Sequence, residues 1–127
     1  MSTGPSGGEA AGQRQYVQVA TSTATQEEAR QIARISVERR LAACAQVLGP
    51  VTSTYWWHGG IETAGEWLCL LKTPASRFEA LAAQIRAEHS YDTPEITATP
   101  ISHGSPDYLA WIGRETTSGP EGGTGGT

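Results

Sequence analysis

The chain has 127 residues and a formal net charge of −4, with no block of like charge anywhere along it. An acidic balance of this kind argues against nucleic acid as a partner, because phosphate binding needs clustered lysine and arginine. No apolar run approaches the roughly 18 residues of a spanning helix, so no membrane partner is expected.

The N-terminus lacks the charged region and apolar segment of a secretory signal, and a cytoplasmic protein is expected. Residues 1–14 are small, polar and glycine-bearing, and residues 116–127 hold five glycines and a proline. Neither stretch can bury enough apolar surface to offset the entropy of ordering, so both are expected to be mobile tails. One domain of about 100 residues remains, 15–115, enough for an independent core.

Tyr16 to Ala20 alternates apolar and polar side chains and predicts a first strand. Thr23 to Gln26 and Thr25 to Glu28 both have capping-box spacing, so a helix follows to about Arg40. Its buried stripe is Ala29, Ile32, Ala33, Val37 and Leu41. Ala42 to Leu48 predicts a second strand, bent at Gly49-Pro50 and resumed from Val51 to Trp57. Proline cannot donate to a ladder, which places this strand at a sheet edge.

Gly59 and Gly60 suit the positive backbone angles of a hairpin tip. From Leu41 to Trp57 the first arm would span roughly 55 Å if fully extended at about 3.3 Å per residue. That exceeds the roughly 35 Å diameter of such a domain, and the arm carries Tyr55, Trp56 and Trp57 at its end. An exposed aromatic end of that kind marks an interaction surface.

The returning strand, Ile61 to Thr73, is apolar on both faces from Trp67 to Leu71, as a central strand covered on each side would be. Ser76 and Glu79 cap a second helix with the stripe Phe78, Leu81, Ala82 and Ile85, and His89 stands at its end. Glu95 to Pro100 is a fourth, edge-type strand, and Ser105-Pro106 starts a short last helix. The order β-α-β-β-α-β describes an α+β, ferredoxin-like split βαβ fold with a long hairpin and a C-terminal helix.

Several segments in this order resemble the CutA family of divalent-cation tolerance proteins. They are Arg40-Leu41-Ala42-Ala43-Cys44, Thr52-Ser53, Tyr55-Trp56-Trp57, Glu66, Leu71-Lys72-Thr73, His89, Tyr91-Asp92, Pro94-Glu95-Ile96, and Tyr108-Leu109 with Trp111-Ile112. The resemblance implies a homotrimer whose hairpins pair across subunits, with Tyr55, Trp56, Trp57 and Trp111 at the interface. It also implies tolerance to divalent metals, copper among them, with no obligatory cofactor. The trimer resembles PII-type signalling proteins, which bind small effectors between subunits.

Copper prefers imidazole and thiolate, which makes His89 and Cys44 the leading metal ligands, ahead of Cys69, His58 and His103. Cys44 and Cys69 show no C-x-x-C pattern, and free thiols rather than a disulfide are expected. Lys72, Glu66, Tyr91, Asp92, Glu95 and Trp57 form the alternative, an effector cleft between subunits. A G-x-S-x-G elbow is missing and the glycine run 122–126 lies in the tail, so no enzymatic activity is expected.

Overall fold

Alternating β-branched and polar side chains form β1, Tyr16–Thr23, and Thr25 then turns the chain into α1, Gln26–Glu38. Of the two possible capping boxes, the second supplies the N-cap alone: Thr25 Oγ1 accepts the Glu28 amide at 3.1 Å, while the Glu28 carboxylate bonds Ser90. The computed structural model describes residues 14–117, so the expected tails fall almost wholly outside the described residues. Thr116, assigned to a tail by composition, is buried, and its hydroxyl donates to the Ile112 carbonyl at 2.8 Å.

The remaining elements are β2, Cys44–Trp57; β3, Gly60–Pro74; α2, Phe78–Glu88; β4, Thr97–Ile101; and α3, Pro106–Glu115. The strands pair antiparallel in the order β2-β3-β1-β4. The strands with an interior proline, β2 with Pro50 and β4 with Pro100, are therefore the edges and β1 and β3 the centre, which is the ferredoxin-like arrangement; Pro74 only ends β3. Strand β4 begins two residues later than its pattern suggests, at Thr97. Helix α2 has no Ser76 side-chain cap; a 3-10 turn, Ala75–Arg77, leads into it instead.

Register divides the sheet into two unlike faces. Val19, Cys69 and Leu71 face α1 and α2, where they pack with Ala29, Ile32, Leu81 and Ile85 in the core. The alternate residues Leu68, Leu70 and Lys72 of β3, with Gln18 and Ala20 of β1, point to the other side. Helix α3 approaches that side at one end, where Tyr108 Oη lies 3.5 Å from Cys44 Sγ. Leu68 and Leu70 stay half-buried, so the expectation that β3 is covered on both faces is met on the helix side alone within one chain.

Beyond Glu66 the hairpin leaves the sheet. Among the described residues, Val51–Trp57 pairs with Gly60–Glu66 and with no other strand, whereas β1 meets β3 from Trp67 onward. The free arm is roughly 23 Å long at about 3.3 Å per residue. Its turn is His58-Gly59, one residue earlier than the glycine pair suggests, with φ of 49° and 83°. Both central residues have positive φ, as a type I′ hairpin turn requires, and Trp57 pairs with Gly60.

The arm meets the sheet at a register shift between Leu48 and Val51. Gly49 there has a φ of 155°, and a Cβ on it would lie 2.9 Å from Trp67 Cε3 and 3.0 Å from the Glu66 carbonyl oxygen. Glycine alone suits both the backbone angle and the close approach. Gly49→Ala is accordingly expected to cost roughly 1–3 kcal/mol in denaturant unfolding. An unchanged midpoint would show that the bulge tolerates a side chain.

Candidate functional site

Helix α2 ends at Glu88, and His89 leaves it with extended angles, φ −85° and ψ 141°. That exit turns the imidazole inward until its side chain is 0% exposed. Nε2 lies 2.8 Å from the Ser22 carbonyl, and Nδ1 accepts the Tyr91 amide at 3.1 Å. A carbonyl on one side and an N–H on the other settle the tautomer: the proton sits on Nε2 and the lone pair on Nδ1.

Glu28 closes this corner from α1. Its carboxylate accepts the Ser90 amide at 2.7 Å and the Ser90 hydroxyl at 3.0 Å, and Oε2 stands 3.6 Å from His89 Nδ1. Tyr91 stacks at a tilt on His89, centroids 4.9 Å apart, and its hydroxyl donates to Glu66 Oε2 at 2.7 Å. Burial, then the hydrogen bond and negative charge of Glu66, push the Tyr91 phenol well above the ordinary tyrosine range. The corner thus joins α1, the end of β1, the α2–β4 segment and the root of the arm.

Cys44 lies elsewhere. It pairs with Lys72 at the opposite end of the β3 register, whereas Ser22, the partner of His89, pairs with Leu68. Four residues along a strand are roughly 13 Å. The hydrogen bond with Cys44, then burial, push the Tyr108 hydroxyl up to about 12, and Tyr108 stacks on Trp111 at 5.6 Å. Cys69 is a buried free thiol, pushed up to about 12 by burial.

The expected ligand pair His89 and Cys44 is therefore not assembled within one chain. Both ring nitrogens of His89 are committed to backbone groups, and Cys44 faces a tyrosine. Among the described residues, no three His, Cys, Asp or Glu side chains meet at metal-binding spacing. The described donors of a single chain do not fit a bound metal ion. His103 Nδ1 lies 3.1 Å from Ser102 Oγ at the surface, and His58 stands at the exposed arm tip beside Trp57.

The six residues proposed for an effector cleft are also divided. Glu66 and Tyr91 touch, but Lys72 is six residues further along β3, roughly 20 Å, where its Nζ donates to Gln46. Glu95 accepts the hydroxyl of Thr97, Asp92 is exposed, and Trp57 is at the far tip. Sequence patterns did not single out Arg40 or the second role of Glu28. Arg40 holds a left-handed φ of 58°, and its Nη1 bonds the carbonyl and carboxylate of Glu115 at 3.0 and 2.9 Å. That pair borders a groove of about 470 Å³ between α1 and α3, beside Trp111.

The fold and its sequence match a known group. The model of the CutA1 divalent ion tolerance protein family matches residues 17–115. The chain belongs to the CutA1 family. It is 43% identical over 93 residues to the divalent-cation tolerance protein CutA of Thermus thermophilus, covering 73% of this chain and 89% of that protein. Mouse protein CutA is 42% identical over 96 residues, 76% of this chain and 54% of that protein. The chain spans about half the length of several CutA relatives it matches. The crystal structure of CutA from Xylella fastidiosa superposes with a TM-score of 0.78 at 37% identity, covering 80% of this chain and 98% of that one.

The corner and the Cys44–Tyr108 contact share one dependence on pH. A tyrosine raised above its unfolded value near 10 contributes stability in full below that pH, and the contribution is lost as pH rises through its folded value. Unfolding free energy is expected to fall from about pH 10 upward through about 12 for Tyr108, and further for Tyr91. Tyr108→Phe should flatten the first part of that loss; an identical alkaline profile would show that the Cys44 contact contributes nothing.

Proposed function

We propose that this member of the CutA1 family serves divalent-cation tolerance as a non-enzymatic cytoplasmic homotrimer. The observation that carries the assembly is the arm, where Trp56 is 73%, Ile61 64% and Trp57 58% exposed, with no third strand beside it among the described residues. Covering a side chain of this size is worth about 1.5–3 kcal/mol. The half-open sheet face with Leu68 and Leu70 offers further apolar surface next to it. The count of three follows the family resemblance. Two free thiols, Cys44 and Cys69, suit a reducing compartment.

Copper is the proposed cation, because thiolate and imidazole are its preferred donors. With His89 committed to the fold, its contact falls to donors contributed by more than one copy, Cys44 supplying the thiolate. The assembly is thus part of the function rather than a support for it. Of the effector-cleft alternative one chain brings together only Glu66 and Tyr91, since Lys72 stands apart on Gln46.

In cells lacking their own family member, the chain is expected to restore growth under copper challenge. Trp56→Glu, which leaves the core untouched, should yield separated subunits by light scattering and lose that protection. Full protection by separated subunits would contradict the proposal.

A further inference from the structure

We infer that the groove between α1 and α3 binds a small aromatic carboxylate, whose head pairs with Arg40 and whose ring lies against Trp111. The inference stands on one chain and rests on neither the proposed trimer nor its cation.

The groove has the size and lining of such a site. Its volume of about 470 Å³ falls among ordinary small-molecule pockets, roughly 300–1,000 Å³. Buried Ala42 and Ala43 and the side chain of Val37 make much of the lining apolar, and Trp111 adds an indole. Tyr108 stacks on Trp111 at an interplanar angle of 29°, which helps to hold the indole in place.

Arg40 supplies the polar contact. Its guanidinium has five N–H donors, and Glu115 takes those of Nη1, one on its carbonyl and one on its carboxylate. Nε and Nη2 have no partner among the described residues. They form the second edge of the fork, which two carboxylate oxygens match in parallel. The side chain is 41% exposed, so a ligand can reach it while Glu115 holds it.

Charge decides the sign of the ligand. Two carboxylates border the groove, and each already has a cation: Arg34 Nε lies 2.6 Å from Glu38, and Arg40 Nη1 2.9 Å from Glu115. Further arginines crowd the same end. Arg39 precedes Arg40 in the chain, Arg114 precedes Glu115, Arg77 Nη2 donates to the Arg40 carbonyl at 3.2 Å, and Arg14 lies against Gly113. Among the described residues none of these four pairs with a carboxylate, and Arg77 Nε is a buried donor without a partner. Helices α1 and α3 also end here, but their dipoles bring only about half a negative charge each. The unmatched positive charge beside this groove favours an anion over an amine.

Nitrogen NMR of the full chain, titrated with phenylacetate, tests the site; the Trp111 indole signal is identified by its loss in Trp111→Leu. Saturable shifts of the Trp111 indole N–H and the Arg40 Nε–H are expected. Phenethylamine, with the same ring and the opposite charge, should leave both unmoved at equal concentration. Acetate, which lacks the ring, should need a concentration roughly tenfold higher or more. Arg40→Lys keeps the charge but not the fork, and should weaken phenylacetate binding, read at the indole, about tenfold or more. Trp111→Leu keeps the ion pair and should weaken binding severalfold, read at Arg40. The inference is overturned if phenylacetate gives no saturable shift, as with a sister chain seated over Trp111, if phenethylamine binds equally well, or if both variants bind like the native chain.

Discussion

A two-stranded ribbon carrying large apolar side chains needs cover. Isolated hairpins are marginal in water, and three or more strands or a packed face are normally required. Here, among the described residues, Val51–Trp57 and Gly60–Glu66 have only each other, yet they end in Trp56, Trp57 and Ile61. The rest of the domain accommodates this arm: Gly49 lets it bend past Trp67, and His58-Gly59 closes it in a two-residue turn. The sheet face that continues from it holds Leu68 and Leu70 half-buried beside Lys72 and Gln18. Within one chain, one sheet face is covered by helices and the other stays open.

The histidine that donor chemistry ranks first for metal is used up by the backbone. His89 spends both nitrogens on main-chain groups, and Glu28 spends its carboxylate on Ser90. A fully buried imidazole satisfied in this way keeps a helix end, a strand end and the arm root in one arrangement. Ligation at His89 would have to break one of these bonds inside the domain. Cation contact in the proposed assembly therefore falls to more accessible donors, and Cys44 sits near the face that remains open.

Elements and topology were legible because they are set by short-range rules. Period-two alternation marked β1, three- and four-residue steps marked α1 and α2, and Pro50 and Pro100 marked the edges. The errors were local: the hairpin turn lies one residue early because His58 accepts a left-handed angle that glycine was expected to take, and Ser76 lost its cap to a 3-10 turn. The site was less legible. Tyr91 and Glu66 are 25 positions apart, Ser90 and Glu28 are 62, and Arg40 and Glu115 are 75. No periodicity encodes such pairs; the register of the folded sheet creates them. Glu28 in particular looks like half of a capping box, which hides its bond across the domain.

Sedimentation velocity of the full chain at micromolar concentration examines the central claim most directly, since it asks whether the ribbon is sheltered by sister chains. A single boundary at about three times the 13.4 kDa chain mass, persisting on dilution, is the expected result. A folded, stable particle of one chain mass over the same range would contradict it.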